Sequence, residues 1–192
     1  MKLRIMLVDA DPQRMDLLMN TLQDAGHWVA MCGDETGNLC EHVREIKPDV
    51  IIIGTDSPTR DTLEHLCVID RDEPRPVVMF THDNDKQKMR AAIRAGVSAY
   101  IVDGLTSSRV QSIIDIAIAR FKEYQTLKNE LEKATTTLAE RKQIERAKGV
   151  VMKQRSCSED EAYRLIRKMA MNSNKKLAEI ADNINTAADI FS

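Results

Sequence analysis

Two groups of residues in this 192-residue chain have the types and spacing to do chemistry. The first is basic. Between Arg141 and Lys176 eleven lysines and arginines stand against Glu145, Glu159, Asp160 and Glu161, a local surplus of seven positive charges in a chain of net formal charge -2. A block of that sign points to an anionic partner, and the remainder of the chain must be correspondingly acidic. Lys148, Arg167, Asn174 and Lys176 join cations to a hydrogen-bonding amide. Tyr163 is the one aromatic of the block and offers a face for stacking. The edge of a core would suit Tyr163 equally, and a solvated rim is the plain alternative for the charges.

The second group is acidic. Asp9, Asp11, Asp56 and Asp103 lie just past apolar runs, and Thr81 ends another. Clustered carboxylates can supply the oxygen ligands that magnesium prefers. Hydrolytic or transfer chemistry would also need a nucleophile with its base, or a metal cluster. Scattered acids and one threonine do not supply these, so no enzyme, catalytic residue or cofactor is expected. Cys32, Cys40 and His42 lack the fourth ligand and close pairing of a zinc site. With Cys67 and Cys157 they form no C-x-x-C pair, which fits reduced thiols.

The elements that carry these residues follow from start and stop signals. Arg4 to Val8 is an apolar strand followed by Asp11-Pro12, an N-cap with proline at the first helical position. Strands are then expected over 27–32, 48–53, 76–80 and 99–102, alternating with helices over 12–25, 35–46, 60–70 and 86–95. Short strands alternating with helices give a doubly wound parallel sheet, whose ligands sit at the carboxyl ends of the strands. Those ends carry Asp9, Ala10, Asp11, Gly54, Asp56, Thr81 and Asp103.

After Thr106 helical signals continue almost unbroken to Gln154. Val110, Ile113, Ile114 and Ala117 should pack on the sheet. Beyond them Tyr124, Leu127, Leu131, Ala134 and Leu138 alternate by threes and fours, the seam of a coiled coil too polar elsewhere to bury within one chain. A symmetric homodimer is the expectation. Ser158 and Glu161 form a capping box that opens the next helix. There Ala162, Leu165, Ile166, Met169 and Ala170 share the spacing of one buried face, and Leu177, Ile180, Ala181 and Ile184 repeat it after a polar junction. With the stripe Ile144, Ala147 and Val151 these make a three-helix bundle. No apolar run approaches the roughly 18 residues of a membrane span, and the first residues enter a strand directly, so a cytoplasmic protein is expected.

Two resemblances attach to these stretches. Arg141 to Met152, Ser158 to Ala162, Leu165 to Arg167, Ala170-Met171 and Asn174 to Leu177 closely resemble the signature of the ANTAR domain, the three-helix RNA-binding module of bacterial transcription antiterminators. Val8 to Pro12, Asp49 to Pro58, Val78 to Thr81 and Gly96 to Tyr100 resemble a response-regulator receiver domain, a flavodoxin-like fold. Asp56 to Pro58, Arg75 to Thr81, Val97 to Val102 and Ala139 to Lys142 place the likeness nearest the NasT (nitrate-assimilation) and AmiR type of these regulators. The expected layout is a receiver-like domain over 1–120, a coiled-coil linker over 121–138 and an ANTAR domain over 139–192.

The resemblance implies a dimer that binds paired hairpins in leader mRNA and favours an antiterminator over a terminator. Lys148, Arg167, Asn174 and Lys176 match polar positions of its signature, with Tyr163 beside them. It implies neither DNA nor a membrane as partner, but a ligand-sensing regulatory protein resembling a solute-binding fold. The chain also departs from the receiver pattern of two-component systems. Gly54 stands at the phosphoacceptor position, Ala10 replaces a magnesium ligand, and Asp103 replaces the lysine that meets the phosphoryl group. Those departures imply a pseudo-receiver, and control by a partner protein, not by aspartyl phosphorylation, is the expectation. Asp56 as a shifted acceptor, or an interaction scaffold without RNA binding, are the alternatives.

Overall fold

The computed structural model describes residues 2–32 and 39–190; the side chain of Cys32 and the expected helix turn from Glu35 lie outside the described residues. Two compact units result, residues 1–125 and 126–192.

The first unit is a five-stranded parallel sheet in the order β2-β1-β3-β4-β5. Its strands are β1 (Arg4–Asp9), β2 (Trp28–Cys32), β3 (Val50–Thr55), β4 (Val77–Thr81) and β5 (Ala99–Val102). Between them run α1 (Pro12–Asp24), α2 (Leu39–Ile46), α3 (Arg60–Asp72) and α4 (Lys86–Arg94), and α5 (Ser107–Arg155) follows β5. Because successive strand side chains point to opposite faces, each strand feeds two cores. Met6, Val8, Ile51, Ile53 and Met79 pack with Val43, Leu66 and Ala92 of α2 to α4. Ile5, Leu7, Ile52, Val78 and Phe80 pack with Leu18 and Leu22 of α1 and with Val110, Ile114 and Ala117 of α5, while Ile113 is partly buried there. A sheet covered on both sides explains strands that are apolar throughout rather than alternating.

Caps fix the helix ends that aim the site. The Asp11 side chain accepts from the amides of Gln13 and Arg14 at the start of α1. Gly26, at φ 82, ends the turn after α1, where a side chain would be strained. Parallel register then sets Asp9 beside Gly54, Thr55 beside Thr81, and Thr81 beside Val102, so the polar residues that end three strands meet at one edge, next to the end of β5.

The second unit holds the last part of α5 with α6 (Glu159–Ser173) and α7 (Leu177–Ile190). Thr135 and Thr137 do not break α5, since their hydroxyls donate to carbonyls of the preceding turn, those of Leu131 and Lys133 among them. The capping box at Ser158 and Glu161 is formed in both directions. Ala147, Ile166, Ala170, Ile180 and Ala181 make the core, with Ile144, Val151, Leu177 and Ile184 packed against it. The expected broad buried face of α6 is narrower than its sequence pattern. Ala162, Ile166 and Ala170 are buried, but Leu165 and Met169 are 42% and 48% exposed. Alanines let the helices approach closely along one row, and two neighbouring helices cannot also cover the row three residues on. No helix among the described residues is long and apolar enough to cross a membrane.

Candidate nucleic-acid interface and sheet-edge pocket

At the carboxyl edge of the sheet the central group is Asp9, whose side chain is fully buried. Its two oxygens accept from Arg14 Nε at 2.6 Å and Arg14 Nη2 at 2.9 Å, and one also accepts the Asp11 amide at 2.9 Å. The Arg14 side chain is only 9% exposed, and its Nη1 reaches Asp56 Oδ1 at 3.3 Å, although Asp56 itself is 85% exposed. Hydrogen bonding to Asp9 pushes the already high Arg14 pKa further up. Asp11 faces the amides of Arg14 and Gln13, which hold its carboxyl below the usual range. A side chain at position 54 has no room. A Cβ there would stand 1.7 Å from Asp9 Oδ2 and 2.7 Å from Arg14 Nε.

The rest of the edge is also engaged. Thr81 Oγ1 donates to the Asp56 carbonyl at 3.0 Å and accepts the Asp83 amide at 3.0 Å. Ser57 Oγ donates to Asp83 Oδ2 at 2.6 Å, and Lys88 Nζ contacts both at 2.7 Å. The Tyr100 hydroxyl donates to the Asp83 carbonyl at 3.1 Å. Asp103, in the left-handed region at φ 47, meets His82 Nδ1 at 2.5 Å. Arg14, Ser57, His82, Asp83 and Lys88 were not legible as site residues. One signal existed for Arg14: a cation in the first turn of a helix opposes the helix dipole, and so asks for a local acid.

Lys88, Ser57 and the Asp85 amide lower the Asp83 pKa to about 2. A carboxyl of ordinary pKa about 4 in the unfolded chain that is depressed on folding stabilises the fold above that value, and loses the contribution as pH falls toward the folded pKa. Asp83→Asn should therefore flatten the acid limb of the unfolding profile between about pH 4 and 2, read by circular dichroism; an unchanged limb would mean that Asp83 is not coupled to folding.

In the helical unit Tyr163, Arg167, Asn174 and Lys176 line one open groove of ≈ 530 Å³, with Met171 and Lys175. Two features bring them together. Asn174 takes the left-handed C-cap of α6 at φ 51, and the Lys175 amide closes back onto the Ala170 carbonyl at 3.0 Å. The chain thus turns directly from the exposed end of α6 into α7. Arg167, Lys175 and Lys176 are exposed and enter no ion pair among the described residues.

Lys148, expected with that set, lies apart from the groove. It is 9% exposed, and its ammonium meets Glu145 Oε1 at 2.8 Å and Glu159 Oε1 at 2.6 Å, both of which raise its pKa. It ties α5 to the first turn of α6. Arg146 is similarly taken by Asp189. On α5, Leu127, Leu131 and Leu138 are 60%, 65% and 60% exposed, Tyr124 is also largely exposed, and Ala134 is exposed. Cys40, Cys67 and Cys157 are free thiols, and among the described residues no three His, Cys, Asp or Glu side chains form a metal set.

Residues 5–115 match the response regulator receiver domain, and residues 132–184 match the ANTAR domain. The transcriptional regulatory protein PdtaR of Mycobacterium tuberculosis is 28% identical over 170 residues, 88% of this chain and 82% of that protein. The DNA-binding response regulator MtrA of Mycolicibacterium smegmatis is 28% identical over 53% of this chain and 44% of its own length. Among solved structures, a CheY-like receiver domain protein from Methanospirillum hungatei superposes with TM-score 0.56 at 18% identity, covering 65% of this chain and 99% of that one. The chain therefore belongs to the response regulator receiver family and carries a match to the ANTAR domain toward its C-terminal end.

Proposed function

We propose that this protein binds paired hairpins in a leader transcript as a dimer, favouring an antiterminator structure, and that a partner protein rather than aspartyl phosphorylation controls it. The observation that carries the reading is the groove between α6 and α7. It sets an aromatic ring, a side-chain amide and three cations, none in an ion pair among the described residues, around one opening. Sequence-specific RNA recognition uses that combination on splayed loop bases, with cations on phosphates and polar or stacking groups on bases. Lys148 then acts as a strut that fixes α5 against α6, not as a contact. The control reading rests on Gly54, which has no nucleophile, and on the ion pair beside it. A ligand-sensing protein of solute-binding type is the partner that the family resemblance suggests.

The test is affinity for leader hairpins across a salt series. Arg167→Ala and Lys176→Ala should each weaken binding and flatten the logarithmic salt dependence by roughly 0.7 to 0.9 for every phosphate no longer neutralised. Tyr163→Ala should lose about 1–3 kcal/mol of stacking with little change of slope. Asn174→Gly, which keeps the left-handed cap available, should weaken binding without altering the fold. If all four bind hairpins as the parent does, the cations are a solvated rim and a scaffold is the better reading.

A further inference from the structure

A receiver fold implies a divalent cation at the carboxyl edge of its sheet, and the residues of this chain do not fit one. Asp9 spends both oxygens on Arg14 and on the Asp11 amide, Asp11 caps α1, and position 10 is an alanine. Within the unit the place of a cation is instead filled by a side chain. We propose that the Arg14 guanidinium is a built-in substitute for the divalent ion, neutralising Asp9, reaching Asp56 on the neighbouring loop, and closing the edge in one metal-independent arrangement.

Arginine suits the task for reasons of charge and shape. It stays protonated at any physiological pH and presents a planar fork of donors that grips a carboxylate side-on while leaving a further N–H for a second. The contact with Asp9 dominates, because both side chains are removed from solvent; the contact with the exposed Asp56 is the minor one. The minor contact still has a consequence. Asp56 offers its carbonyl to Thr81, and the Thr81 hydroxyl accepts the Asp83 amide, so one cation orders a chain of bonds from β1 to the β4 loop. In a metal-dependent pocket that order would vary with the ion; here it is written into the sequence.

Thermal unfolding of the full chain, with and without manganese or magnesium, tests this. The parent should show no cation-dependent shift. Arg14→Ala leaves Asp9 buried without its counter-charge, so it should lose on the order of 5 to 10 °C and recover part of that loss with manganese. If R14A does not fold, Arg14→Gln, which keeps a donor beside Asp9 but removes the charge, carries the same comparison. Arg14→Lys should remain folded and insensitive to cations. A parent stabilised by divalent ions as strongly as the variant would overturn the proposal. Destabilisation of the variant without any cation response would also overturn it, leaving Arg14 as an ordinary structural ion pair.

Discussion

Gly54→Asp, the substitution that restores an acid at the usual acceptor position, should destabilise the protein and should not make it a phosphoacceptor. The new Cβ would lie 1.7 Å from Asp9 Oδ2 and 2.4 Å from Asp9 Cγ. Asp9 cannot simply swing away, since its side chain is fully buried and held by Arg14 and by the Asp11 amide. The added carboxylate would also crowd Asp9 and Asp56 around one guanidinium. Displacing Arg14 from Asp9 leaves a buried charge unpaired, which typically costs about 3–5 kcal/mol. In a protein of this size that corresponds to a fall in Tm of roughly 10 °C. Intact mass after incubation with a small phosphodonor and magnesium should show no phosphoryl gain in either parent or variant. A parent that gained one phosphoryl group at Asp56 would reinstate the shifted acceptor, and a stable G54D that gained one would remove the steric argument altogether.

The sheet and its helices were legible because their signals are local. Apolar runs of five or six residues, Asp11 before Pro12 and the Ser158 to Glu161 box each depend on neighbours in sequence, and each stands where expected. Tyr163, Arg167, Asn174 and Lys176 were legible as a group for the same reason: fourteen consecutive residues around one helix end bring them together. What sequence could not give was the partner across space. Spacing marked Leu165 and Met169 as apolar, but the width of a buried face is set by how many helices cover it, and this bundle has two to spare for α6. Lys148 carries the same charge as Lys176, yet only the fold brings Glu159 within 2.6 Å of it. Arg14 was hidden likewise. Its role depends on the absence of a side chain at Gly54, forty residues away, and on the register that aligns Gly54 with Asp9.

Replacing Leu131 and Leu138 together with glutamate should convert a dimer into monomers and abolish binding to paired hairpins. Both leucines are about two-thirds exposed on α5 and recur seven residues apart, with the small Ala134 between them and Leu127 one turn before. That is the alternation by which two helices supercoil and bury one row of side chains in common. In a solvated single-helix spacer these leucines would stay in water, whereas each one buried against a partner helix contributes about 1.5 to 3 kcal/mol. A symmetric pair buries four at these two positions. Glutamates there would instead face like charges across the axis. The RNA consequence is larger than that of any single residue in the groove. A dimer holding two linked hairpins gains about 10² to 10⁴ in avidity over one bundle on one hairpin, and the variant forfeits all of it while its groove is untouched. Sedimentation should therefore report a monomer with unaltered helicity, a single hairpin should bind as weakly to the variant as to one parent subunit, and the paired hairpin should lose its advantage over the single one. A variant that still sediments as a dimer would place the interface off this seam. A monomeric variant that still prefers paired hairpins would instead separate dimerisation from recognition.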